Sequence, residues 1–141
     1  MAIKLKAKTY GPLTLVSEGA GDLSFRTEGG HDGVGIRAPA ANGFAPSDLL
    51  LASLGSCILI SARMAGDDMG RDLGAIHASV HAEKALDLPH RFARLTVEIR
   101  GTAFETWSQQ HMDELKQRTK FLCTISNTLS ADVTVVIAAE G

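Results

Sequence analysis

Two thiols carry most of the chemistry this chain could do. Cys57 sits in "LLLASLGSCILISA" (49–62), the most apolar stretch, and Cys123 sits in "FLCTISNTL" (121–129). Apolar surroundings raise a thiol's pKa, and mid-helix the helix dipole does little for a thiolate. Cys57 is therefore either a small core hydrophobe or a nucleophile in an apolar pocket. Cys123 stands where a short helix would begin, and free backbone amides there favour a thiolate. One deep thiol and one at a helix start could form a peroxidatic and resolving pair. Their spacing alone does not show that they meet.

The histidines offer less. His77 and His81 are four apart in "AIHASVHAEKA", but apolar and polar residues alternate through it, so the segment reads as a strand. Four residues of strand separate the imidazoles by roughly 13 Å, too far to share a metal. His31 and His90 fall in loops, and His111 is expected along the inner edge of a helix. No metal and no cofactor is expected. The glycines of "EGGHDGVG" (28–35) are not followed by the Lys and Ser/Thr of a phosphate loop, and Asp32-Gly33 reads as a hairpin turn.

The elements that must position these residues are legible in outline. Ile3, Leu5 and Ala7 alternate with lysines, as in a half-buried strand, and "PLTLVSEG" and "LSFRT" read as two more strands. Pro46 suits a first helical turn, with Ser47 and Asp48 supplying acceptors, and the helix is expected to run from about Pro46 to about Met69. Its apolar residues go nearly all round, which predicts a central, fully packed helix. Its thin side (Ala52, Ser53, Gly55, Ser56) would admit another backbone closely. "AIHASVHAEKA" and "RFARLTVEIRG" read as strands. Thr102 to Glu105 fits a capping box that would start a helix with Phe104, Trp107, His111, Met112 and Leu115 on its inner face. "ADVTVVIAA" closes the chain as a strand. The order predicts one α+β domain over 1–141, with no internal repeat.

Bulk properties exclude several function classes. The 141 residues are 45% hydrophobic and 21% charged with a net charge of −2, which gives no field for nucleic acid or an anionic membrane. The start lacks a continuous apolar segment, so no signal peptide is expected, and the 49–62 run is too short to span a bilayer. Two cysteines without an export signal point to a reducing cytoplasm.

Two motifs make the chain resemble a known family. "APSDLLLASLGSC" (45–57) is similar to the Pro-x-Glu-Leu-Leu-Leu-Ala-Ala-Leu-Gly-Ser-Cys segment of the OsmC/Ohr superfamily. "FLCTISNTL" resembles that family's second cysteine motif, Cys-Pro-x-Ser-Asn-Thr-Leu. The elements between follow the family's order, so the resemblance covers nearly the whole chain. It implies antiparallel sheets packed around a long central helix, an intertwined homodimer, and active sites at the subunit interface. It also implies thiol-dependent reduction of organic hydroperoxides: Cys57 becomes a sulfenic acid, Cys123 condenses with it, and an external dithiol reduces the disulfide. The alternative is a dimeric protein of the same fold that holds a small hydrophobic ligand without turnover.

The chain departs from the better-characterised members around the thiol. They have an Arg near the turn after the first strand, and "TYGPLT" has none; they have Glu directly after the Pro, where this chain has Ser47. Asp48 matches the acidic position of a less-characterised branch. In a straight helix, nine residues place Asp48 on the face opposite Cys57 and roughly 13 Å along the axis. Overcoming the effect of burial on Cys57 is expected to need a cation. Arg37, whose loop leads into the helix, is the first choice and Arg26 the second.

Overall fold

The computed structural model describes residues 6–17, 23–36 and 43–141. They form two compact units, Met1–Leu49 and Leu50–Gly141. The expected strand at Ile3 and Leu5 lies largely outside the described residues, as does Arg37, and residues 6–12 carry no regular element.

The first unit holds a three-stranded antiparallel sheet of β1 (Leu13–Ser17), β2 (Leu23–Thr27) and β3 (Asp32–Gly35), in that order. The β2–β3 turn falls earlier than Asp32-Gly33. Thr27 N–H donates to His31 O (2.9 Å), Gly30 takes a φ of 87°, and the Thr27 hydroxyl accepts from His31 N–H at 3.0 Å. Asp32 is drawn into the strand opposite Arg26, which grips its carboxylate from Nε at 2.7 Å and from a terminal nitrogen at 3.0 Å. The bidentate geometry outweighs the turn preference of the Asp-Gly pair.

Helix α1 spans Pro46–Asp68. At its start the Asp48 carboxylate accepts from Ala45 N–H at 2.9 Å, satisfying one of the free amides of the first turn. It ends as the glycine at position 70 predicts. Gly70 has a φ of 66°, its N–H reaches Asp67 O, and Arg71 N–H reaches back to Gly66 O, both at 2.9 Å. This is the paired closure that a left-handed glycine makes possible. By length and composition α1 could cross a membrane, yet Leu54, Ile58, Ala62 and Ala65 are fully buried in the second unit's core.

The second unit is a sheet of β4 (Ile76–Lys84), β5 (Phe92–Gly101) and β6 (Asp132–Ala139), with β5 central. On β4 the alternation holds as read: Ile76, Ala78, Val80 and Ala82 turn inward, and His77, Ser79, His81 and Glu83 turn to solvent. β4 and β5 are antiparallel, but β6 runs parallel to β5, unlike the all-antiparallel expectation. A parallel return needs a crossover, and here it consists of a 3-10 turn (Thr102–Glu105), α2 (Gln109–Leu122) and α3 (Thr124–Thr128). Leu95, Val97, Ile99 and Val135 meet Leu54, Ile58 and Leu115 in one apolar cluster.

The Thr102–Glu105 box does not cap a helix. Gly101 precedes the 3-10 turn and no side chain caps it, while α2 starts later, with Ser108 Oγ accepting from His111 N–H at 3.2 Å. The cause is Phe104, buried to 2% exposure and edge-on to Trp107, which fixes a tight turn before the helix can begin. His111 accepts from Arg71 at 2.9 Å, and Arg71 also lies over the Trp107 ring.

On the thin side of α1 Gly55 does admit a close neighbour, since it is buried against β4, where a Cβ would come within 2.9 Å of Val80 Cγ2. One expectation for α1 changes. The helix is packed on one face rather than all round: Ala52, Ser53 and Ser56 are exposed, with Ile60 at 63% and Met64 at 52%.

Candidate active site

Cys57 is carried on the fourth turn of α1, and the crossover brings Cys123 to it. Cys123 ends α2 and begins α3: its N–H donates to Thr119 O at 3.1 Å, and its own carbonyl accepts from Asn127 N–H at 3.1 Å. Its sulfur takes the place that a serine oxygen usually fills at a helix start. Cys123 Sγ accepts from Ser126 N–H at 3.4 Å, and Ser126 Oγ donates in return to Cys123 O at 3.2 Å. Cys123 is fully buried, whereas Cys57 is half-buried.

The two thiols interact, and their pKa values are driven apart. Burial pushes Cys57 up, but hydrogen bonds outweigh it: from the Ile125 amide, the Cys123 thiol, the Ser61 hydroxyl and the Thr124 amide. The net direction for Cys57 is down. For Cys123 burial dominates, the Ser126 hydroxyl and amide oppose it, and the neighbouring Cys57 adds to it, so the net direction is up. Cys57 is therefore the more acidic thiol of the two and Cys123 the less acidic.

The pull on Cys57 comes from hydrogen-bond donors, and no cation contributes among the described residues. Arg26, the second choice for that cation, is exposed and held by Asp32. Arg37, the first choice, lies outside the described residues, and Asp48 is engaged with Ala45 N–H. Sequence reasoning missed Ser61 and Ser126. Both could have been found: Ser61 lies one helical turn beyond Cys57 on the same face, and Ser126 stands three residues after a helix-starting residue. His77 and His81 point to solvent from β4, and no cluster of metal-ligating side chains occurs among the described residues.

This arrangement has a consequence for pH. Alkylation of Cys57 by iodoacetamide, followed by peptide mapping, should titrate with a midpoint below that of an unperturbed thiol, with Cys123 reacting only at higher pH. Cys123→Ala should move the Cys57 midpoint upward by removing one donor. A Cys57 midpoint at or above the ordinary thiol value would contradict the donor geometry.

Compared with known proteins, the chain matches the family described as OsmC-like protein over residues 39–138. No curated protein sequence matches it. Among solved structures it is similar to an OsmC-like protein from Mycoplasma pneumoniae, with TM-score 0.80 and 17% identity over 96% of this chain and 100% of that one. It is similar to an organic hydroperoxide resistance protein from Legionella pneumophila, with TM-score 0.70 and 14% identity over 95% and 100% of the two chains. The organic hydroperoxide resistance protein OhrB of Bacillus subtilis gives TM-score 0.66 and 16% identity over 92% and 96%. The fold is that of the OsmC/Ohr proteins.

Proposed function

The chain belongs to the OsmC-like protein family, and from that premise we propose that it is a thiol-dependent peroxidase acting on organic hydroperoxides. The observation that carries this reading is the Cys57 thiol, held down in pKa by donors, beside a second thiol whose pKa is pushed up by burial. The Cys57 thiolate attacks the terminal oxygen of ROOH, the O–O bond breaks, and the alkoxide leaves as ROH after taking a proton. Cys57 is then a sulfenic acid. The Cys123 sulfur attacks it, the hydroxyl leaves as water with the Cys123 proton, and a Cys57–Cys123 disulfide forms. A dithiol from outside restores both thiols.

In this reading the chain acts as a single domain over 1–141, as a homodimer in the cytoplasm, with no metal, nucleic acid or membrane in the reaction. The dimer is supported by the face of α1 carrying Ala52, Ser53, Ser56, Ile60 and Met64, all exposed among the described residues. A second copy covering it would supply the remaining walls of the substrate pocket. Sedimentation at micromolar concentration is expected to give a dimer, and a monomer would remove those walls and the pocket with them. Arg37 is assigned to steady the thiolate, and Asp48 to fix the start of the helix that carries Cys57. Arg37→Ala is then expected to slow attack, and an unchanged rate would leave the thiolate to the hydrogen-bond donors of Ile125, Cys123, Ser61 and Thr124.

Activity separates this reading from a ligand-binding protein of the same fold. With excess dithiol, cumene or tert-butyl hydroperoxide is expected to be consumed faster than hydrogen peroxide, because an apolar pocket favours the organic group. Hydroperoxides left intact by a protein that binds hydrophobic ligands would decide for the binding reading.

A further inference from the structure

Resting on the two-cysteine reading above, we propose that the external dithiol enters the oxidised site on Cys57 and expels Cys123. The two sulfurs of that disulfide are not equivalent. Cys123 is fully buried, and its backbone is tied on both sides, to Thr119 O through its N–H and to Asn127 N–H through its carbonyl. A residue clamped at the junction of two helices cannot swing out to meet a reductant. Cys57 is half-buried, on the middle of a long helix, and is the sulfur that a thiolate from outside can reach. The sulfur that must leave has a donor waiting, since Ser126 N–H lies 3.4 Å from Cys123 Sγ.

The electron accounting is that of thiol–disulfide exchange. The reductant thiolate forms a bond to Cys57 Sγ, the Cys57–Cys123 bond breaks, and Cys123 leaves as a thiolate that takes a proton. The reductant's second thiol then attacks its own sulfur in the mixed disulfide. Cys57 departs as a thiolate, and the reductant leaves oxidised by two electrons. Leaving-group acidity pulls the other way, because Cys57 is the more acidic thiol of the reduced pair. That effect is graded, a few-fold in rate per pKa unit, whereas a fully buried sulfur is barred to an incoming thiolate. Access decides.

Wild-type protein oxidised with diamide provides the test, since diamide forms the disulfide whether or not hydroperoxides are substrates. The oxidised protein is treated briefly with limiting 2-mercaptoethanol, then unfolded in guanidinium containing excess N-ethylmaleimide, and digested with trypsin, which places Cys57 and Cys123 on different peptides. Mercaptoethanol on Cys57 with maleimide on Cys123 is expected to exceed the reverse labelling by about tenfold. Equal or reversed labelling would overturn the inference, and so would a failure of diamide to join the two cysteines. A protein that labels as expected yet leaves every hydroperoxide intact would sink the peroxidase reading alone. Active protein with reversed labels would sink the inference alone.

Discussion

Replacing Cys57 with serine is expected to bring hydroperoxide turnover down to background, a loss on the order of a thousandfold or more. The oxygen atom leaves the substrate only by transfer to a sulfur that can become a sulfenic acid. Cys123 cannot take over, because it is fully buried and burial makes it the less acidic thiol. The substitution is nearly isosteric at a half-buried position, so far-ultraviolet circular dichroism should be unchanged and the loss should be chemical. Cys123→Ser is expected to behave differently. It should complete one round, release one equivalent of alcohol, and leave Cys57 as a sulfenic acid that a dimedone probe captures. Sustained turnover by Cys57→Ser would refute the assignment of the nucleophile.

The second large effect is on stability. Ile58 follows Cys57 on α1 and is fully buried in the cluster with Leu54, Leu95, Val97 and Leu115. Ile58→Ala is expected to cost about 3 kcal/mol, the transfer free energy of the lost carbons plus the cavity left behind. The midpoint of urea unfolding should fall accordingly, with an unchanged dependence on urea concentration. Because α1 holds Cys57 against α3, the Cys57 alkylation midpoint should begin to rise at urea concentrations that leave the wild type untouched. A cost below about 1 kcal/mol would mean that the site collapses around the gap and that the helix is held by something other than this contact.

Where local chemistry and tertiary packing agree, the sequence was a good guide. The alternation in β4 is legible because one face of that strand meets the core and the other meets water, and the end of α1 is legible because few residues other than glycine accept the φ that Gly70 adopts. The limits appear where a distant partner overrides a local preference. Asp32-Gly33 resembles a turn until Arg26 on the neighbouring strand takes the Asp32 carboxylate. Thr102 and Glu105 resemble a cap until the burial of Phe104 tightens the chain. The parallel direction of β6 has no signature in its own residues, since it follows from how far the crossover travels. At the site, the two cysteines were visible as types and as motifs. What lowers the Cys57 pKa was not, because backbone amides of Thr124 and Ile125 carry no mark in the sequence.

The crossover that carries Cys123 back to Cys57 also couples the redox state of the pair to the integrity of the whole second unit. A bond between positions 57 and 123 would close a loop containing β4, β5 and α2. In the chain-entropy account, a loop of this length removes about 4 kcal/mol of conformational freedom from the unfolded chain. The oxidised protein is then harder to unfold than the reduced one. The same free energy works in reverse, because folding holds the two sulfurs together and favours the disulfide over two free thiols by an equal amount, about 90 mV for a two-electron couple. Each core contact that keeps α1 on the sheet therefore contributes to how strong a reductant the site requires, including contacts made by residues that never approach either sulfur.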